Sequence, residues 1–522
     1  MKKTAVIILS MVLILSLSAC ESKSKFGAYL QSFFKADEPQ DSNIENEKKE
    51  VENSITIGVT MLDSYNPLMT VSPTTKAMLG FIFEPMFGMD SDMHTVGVLA
   101  ESYNTAIDGK SIKINLKKGV KWHDGTDFTA ADVAYTINAI KKYGGNYKSL
   151  VKNMTYVSCE NNYTVNIKFD RSVPEPASLL IFPIIKNASV KDDYKPIGTG
   201  PFYLNYDKLS AFNEYHGNPA KLSEIKIKSV PDDEKFVSLF NASVIDVANS
   251  DILDMKTYTP RSNSQVYDII SNKMVLVGFN AKNPVFSFPE ARRSVSMLLD
   301  RKNVATHIYF SRAVATNYPI NPSSEYYPKS AGKLNTDAGA VEKELADNGW
   351  KKDKRGVYYY ADNNGMTYFS INILVNSESE ERVTIAENLS SEMTKNGLRN
   401  SVLKCSGEEF EQRILNGDYD CFIGEVNIQP NNDLTDMVCS NSNMFGFADN
   451  ETDILLSQLG TLTSKTDKQD ISLKLYERIK AECPFAPICF LKDSVVTSAK
   501  LKGGVSPSIE NFIRQTEEWS VK

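Results

Sequence analysis

Apolar positions first come as a single run, Ala5 to Leu17, behind Lys2 and Lys3. Too short to span a bilayer comfortably, the run has the length and charge of an export signal. From residue 55 the pattern changes to alternation. Ile55, Ile57 and Val59 alternate with polar or small residues, as do Ile112, Ile114 and Leu116, and later Tyr163, Val165, Ile167 and Phe169. These spacings predict half-buried strands. Between them, Asp124-Gly125 supplies a tight turn, and Thr129 followed by Asp132 forms a capping-box start. Val133, Ile137 and Ile140 then give a helix one apolar face. Ser287 and Glu290 open a second helix carrying Ala291, Val295, Leu298 and Leu299 and ending near Asp300-Arg301. A third spans 380–396, with Ile385, Leu389 and Met393 as its stripe and Asn396-Gly397 as its stop. Leu398, Val402 and Leu403 suggest a strand, and a helix over 407–416 stops at Gly417 and feeds a strand from Tyr419 to Val426. Strands and helices interleave without a repeat, so the chain reads as α/β with two sheet-centred lobes. Residues 86–195 read as an α+β insert with its own sheet.

The export signal closes on Leu17-Ser18-Ala19-Cys20, the pattern of a bacterial lipobox. Small residues there admit the signal peptidase, and the cysteine thiol receives the diacylglyceryl group, so Cys20 is expected to be the lipidated, palmitate-bearing first residue of the mature chain. An ordinary signal peptide with a coincidental cysteine is the alternative. Residues 21–54 are mostly polar and charged and read as a tether, with a short aromatic patch at Phe26, Tyr29, Phe33 and Phe34. Losing Lys2 and Lys3 with the signal takes the formal charge from −7 to −9, which argues against a nucleic-acid partner. About 470 residues remain beyond the tether, enough for two or three lobes. Beyond Cys20 there are six cysteines: Cys159, Cys405, Cys421, Cys439, Cys483 and Cys489. An even number outside the cell permits disulfides, and buried free thiols serve equally well. No pair has zinc-finger spacing.

Trp122-His123-Asp124-Gly125 has a catalytic look, since His and Asp adjoin in an exported chain. Adjacent side chains on a strand point to opposite faces, which hinders a relay between them. The chain has only four histidines, and neither a His-Glu-x-x-His nor a Gly-x-Ser-x-Gly pattern is found. No catalytic residue, metal site or cofactor is therefore expected, and an exported hydrolase is the outlying alternative.

Several blocks carry a family likeness. The longest runs from Leu99-Ala100-Glu101-Ser102-Tyr103 through Asp108-Gly109-Lys110 and Leu116-Lys117-Lys118-Gly119-Val120-Lys121-Trp122-His123-Asp124-Gly125-Thr126 to Phe128-Thr129-Ala130-Ala131-Asp132-Val133. Others are Ile197-Gly198-Thr199-Gly200-Pro201-Phe202, then Gly278-Phe279-Asn280 with Arg292 and Asp300-Arg301, and Asn416-Gly417-Asp418-Tyr419-Asp420. In this order they resemble the family 5 solute-binding proteins of oligopeptide, dipeptide and nickel ABC transporters. The resemblance runs from about residue 55 to 520. It implies the two-lobed periplasmic-binding-protein-like fold, type II, in its large three-domain variant, whose lobes close over a ligand. Lobe I would comprise 55–85, 196–275 and 488–522, the insert 86–195, and lobe II 276–487.

The resemblance also places the ligand contacts. Tyr65 and Asn66 lie in the segment that enters the cleft from the first lobe, and an ordinary Asn-Pro turn is the alternative reading. Opposite them come Glu425, Val426, Asn427 and Gln429, with Asn376 at another strand end facing the cleft. Peptide-binding members commonly carry tryptophans and then an aspartate in this stretch, and the aspartate pairs with the peptide amino terminus. Here Val426 and Gln429 stand where those would fall, so amine recognition needs Glu425, Asp433 or another acid. The expected protein is a monomer anchored outside the cytoplasm by lipid on Cys20. It captures a small ligand, by family a peptide, for ABC permease subunits. A peptide-sensing surface receptor and a binder of a nickel chelate or other non-peptide solute are the alternatives.

Overall fold

The computed structural model describes residues 53–521 apart from 190–194, 257, 262, 330, 331, 333, 364, 504 and 506–514. The signal, Cys20 and nearly all of the tether lie outside the described residues. Two long antiparallel strands, Gln265–Phe279 and Phe485–Thr497, run through the middle of an eleven-stranded sheet. On one side the sheet continues through Val247–Asn249, Ser54–Val59, Glu224–Ser229, Lys208–Ala211 and Phe202–Asn205. On the other it continues through Cys421–Asn427, Ser370–Asn376 and Arg399–Cys405. The two long strands therefore belong to both lobes.

Their pairing breaks between Ile270 and Met274, where the register shifts. Asn321 fills the break: its amide donates to the carbonyls of Ile270 and Ser271 and to Asn272 Oδ1 at 3.0, 3.1 and 3.0 Å. A bulge of this kind lets one strand change direction between two sheets. Beyond it, Val275, Val277 and Phe279 pack into one core of the second lobe, while Met274 and Leu276 pack into another on the opposite face. That is the two-residue period of a strand buried on both sides.

A separate antiparallel sheet, in the order Ala100–Thr105, Ser111–Leu116, Thr164–Phe169 and Met154–Asn161, carries the helix Ala130–Tyr143. Val133, Ile137 and Ile140 on the helix and Ile112, Ile114, Val165 and Ile167 on the sheet join the same core as Ile55 and Ile57. The second predicted helix is Pro289–Met297, shorter at both ends than its apolar pattern. Ser287 does not cap it, because its hydroxyl donates to Pro284 O at 2.9 Å, and Asp300 instead caps the short turn Arg301–Asn303. The helices Glu380–Lys395 and Gly407–Asn416 end at Asn396-Gly397 and at Gly417, both glycines having positive φ. All six described cysteines are free thiols.

Candidate functional site: the cleft over the crossing strands

The sequence blocks that look chemical turn out to join the fold together. His123 Nδ1 accepts from Gly198 N–H at 3.2 Å, and its Nε2 meets Gly200 O at 2.9 Å, which fixes a neutral ring with the proton on Nε2. Burial holds the imidazole pKa down to about 4. Asp124 turns the other way, to Lys186 and Thr126, and burial is outweighed by these partners so that its pKa falls to about 2. Gly198 is obligatory, since a Cβ there would stand 1.8 Å from Ile82 O. Asn280 likewise ties the blocks of the second lobe, donating to Tyr419 O at 2.9 Å while its N–H donates to Asp420 O at 2.9 Å. Arg301 is fully enclosed and spends its guanidinium on Pro487 O, Ser296 O and Ser296 Oγ.

The crossing strands change lobes at the register shift after Ile270. Just beyond it, Lys273 Nζ lies 3.2 Å from Asp493 Oδ1. Burial works against the Lys273 ammonium, but Asp493, Asp251 and Glu425 outweigh it and raise its pKa. The first lobe also carries the loop before helix Pro73–Leu79. Asp63 organises that loop by accepting from Thr70 Oγ1 at 2.5 Å, Val71 N–H at 2.6 Å and Ser72 N–H at 3.2 Å. Burial opposes its charge, yet these bonds prevail and lower its pKa. Held this way, the loop leaves Met61 and Val71 exposed.

From the second lobe, Glu425 sits on strand Cys421–Asn427 opposite Val275. Its carboxylate is 3.8 Å from Arg382, in the first turn of Glu380–Lys395. Tyr309 lies in the same field. Burial raises its pKa, as do Cys489, Glu381 and Glu425, while Arg382 opposes them. Asn427 is exposed and pairs in register with Lys273; Val426 is half-buried. Gln429 has a buried Oε1 with no hydrogen-bond partner among the described residues.

Other contacts join segments far apart in the chain. Lys256 meets Glu381 at 2.5 Å. Farther away, Arg171 meets Asp433 at 2.6 Å, Lys468 meets Glu175 at 2.5 Å, and Asn431 donates to Pro174 O at 3.0 Å. Asp433 is thereby already neutralised.

The structure brings Glu425, Val426, Asn427 and Gln429 onto one stretch of the second-lobe wall. Tyr65 and Asn66 line a cavity of about 310 Å³ with Pro67, Asp124, Lys186 and Asn187. Both are buried, and Asn66 Oδ1 accepts from Leu68 N–H at 3.0 Å, the bond of an Asx turn. Asn376 also forms a turn, its Oδ1 accepting from Glu378 N–H at 2.9 Å ahead of the helix. Sequence reasoning missed Lys273, Arg382, Asp493 and Asp251. One signal was available for two of them: Lys273 directly precedes the apolar run Met274 to Val277, and Lys492-Asp493 breaks a strand that is apolar from Phe485 to Leu491.

Residues 94–444 match the model of the bacterial extracellular solute-binding proteins, family 5. The chain belongs to this family. It is a solute-binding protein of the ABC-importer type, and the family is one of binding proteins rather than enzymes. The chain is 24% identical over 536 residues to the oligopeptide-binding protein AppA of Bacillus subtilis, spanning 96% of each chain. The structure of that protein in complex with a nonapeptide superposes with a TM-score of 0.62 at 20% identity, over 90% of this chain and 99% of that one. NikZ from Campylobacter jejuni, in complex with Ni(L-His), superposes with a TM-score of 0.64 at 20% identity over the same shares. Among the described residues no helix is long and apolar enough to cross a membrane.

Proposed function

We propose that the protein captures a peptide in the cleft over the crossing strands, closes its lobes on it and delivers it to an ABC importer without covalent chemistry. The observation that carries this reading is the mixed-charge floor and wall formed by Lys273, Asp493, Arg382 and Glu425 where both lobes meet. Peptides carry both signs of charge, and a partly desolvated cleft rewards paired contacts with each. Kinship to an oligopeptide-binding protein over 96% of the chain supports the same class.

In this reading the first lobe comprises 55–85, 196–275 and 488–522, the insert 86–195 and the second lobe 276–487. Glu425, Val426, Asn427 and Gln429 form the second-lobe wall, while Tyr65, Asn66 and Asn376 support the loops around it. The protein acts as a monomer held outside the cytoplasm by lipid on Cys20. Cys20→Ala should release it from membranes into the medium; continued retention would refute the anchor.

Native mass spectrometry of the undenatured protein, followed by denaturing release, tests the ligand class. A ladder of short peptides is expected. A single non-peptide mass would overturn the peptide assignment, and hydrolysis of added peptides on long incubation would overturn the binding role.

A further inference from the structure

We propose that Asp251, on the first lobe, takes the ammonium group of the bound solute, and that Glu425 does not. The inference rests on reading the cleft as the solute site and names the group recognised there.

Backbone geometry fixes the position. Ser250 N–H donates to Ser494 O at 2.8 Å, and Ser494 N–H donates to Ser250 Oγ at 3.0 Å. Residue 251 therefore follows directly from a bond to the crossing strand, beside Asp493 and the Lys273 that pairs with it. Asp251 is exposed to solvent, yet protein surrounds it closely enough for burial to act on its charge.

The other acids of the region already have cations. Asp493 has Lys273 at 3.2 Å, Glu381 has Lys256 at 2.5 Å, and Glu425 has Arg382 at 3.8 Å. Asp268 accepts two bonds from Arg312, at 3.0 and 2.9 Å. Asp251 has no hydrogen bond or ion pair to any described residue. Burial raises its pKa, Lys273 lowers it, Asp493 raises it again and Lys76 lowers it least, with a net rise. A carboxylate left under-compensated in this way is stabilised by an incoming cation.

Lys76, in the last turn of Pro73–Leu79, is the neighbouring cation, and among the described residues it too has no ion pair. A bare cation would be repelled by it. An α-ammonium followed by a carbonyl or carboxylate satisfies both groups, with the ammonium on Asp251 and the oxygen toward Lys76. This is the chemistry of a peptide amino terminus. The amine clamp thereby moves from the second-lobe wall, where Gln429 can accept but carries no charge, to the first lobe.

The test uses the full-length protein and a mixed tripeptide library in free and N-acetylated forms, with retained peptide quantified after native desalting. The wild type should retain the free form at least about tenfold over the acetylated one, the scale of a charge-assisted contact. Asp251→Asn should abolish that preference without changing the thermal midpoint, and Glu425→Gln should keep it. Asp251→Ser serves as a second variant and should match Asp251→Asn. A preference that survives in both Asp251 variants, or one lost in Glu425→Gln instead, would overturn the assignment while leaving peptide capture intact. Retention of neither form by the wild type would overturn peptide capture itself, and this inference with it.

Discussion

At the scale of single residues, the side chains that look most reactive carry structural work. His123 uses both ring nitrogens on the Gly198-Thr199-Gly200 segment, so protonating Nδ1 would cost it an acceptor and place a charge in a largely buried site. Its pKa is depressed from 6.5 to about 4. Unfolded chains therefore bind a proton between those values and the folded one does not. Stability from this group is complete above pH 6.5 and is lost as pH falls toward 4, by roughly 3 kcal/mol in all. Urea midpoints of the wild type should drop between pH 7 and pH 4.5. His123→Gln should be less stable at pH 7 but show a smaller drop; an equal drop in both would assign the acid sensitivity to other groups.

At the scale of elements, caps explain why helices start where they do. Asp132 does two jobs at the start of Ala130–Tyr143. Its Oδ2 accepts from Thr129 N–H at 2.8 Å, and its Oδ1 accepts from Asn187 N–H at 2.8 Å. The cap was legible from Thr129 and Asp132 alone, but the tie to Asn187 was not, because it links positions far apart in sequence. Asp132→Ala should cost about 2 to 3 kcal/mol in chemical denaturation, and Thr129→Ala, which spares the Asn187 bond, about 1 kcal/mol. Equal losses would mean that the Asn187 bond contributes nothing. The helix beginning at Pro289 teaches the opposite lesson. Its apolar pattern extends to Leu299, but Leu298 and Leu299 are buried from a turn rather than from the helix itself. Periodicity reports which face is buried, not where the hydrogen-bond ladder ends.

At the scale of the whole molecule, two strands run through both lobes, and under the proposed lobe closure the ion pairs between the lobes would set how firmly the protein closes. Lys256–Glu381 is one such pair, formed between a first-lobe segment and the first turn of a second-lobe helix. Both partners are partly exposed, so its contribution to closure is about 0.5 to 1 kcal/mol. Lys256→Glu or Glu381→Lys should speed release of a bound peptide by about two- to fivefold, and the swapped double variant should restore it. Stopped-flow release that is unchanged by either reversal would show that the pair is a bystander.

The sequence by itself determined the local geometry and the family. Alternation at Ile55 to Val59 and at Ile112 to Leu116, the stripe Ile385, Leu389 and Met393, and the stops at Gly397 and Gly417 all depend on neighbours within a few residues. Tertiary structure decided which distant groups meet. Lys273 and Asp493 are 220 residues apart in the chain, and they pair because a register shift after Ile270 sets the two crossing strands in step. Asp251 comes beside them because Ser250 bonds to Ser494. Local patterns record the period of a strand and say nothing of its partner's register, and an ion pair needs its atoms within a few ångströms. These charges therefore came together only when the strands had paired.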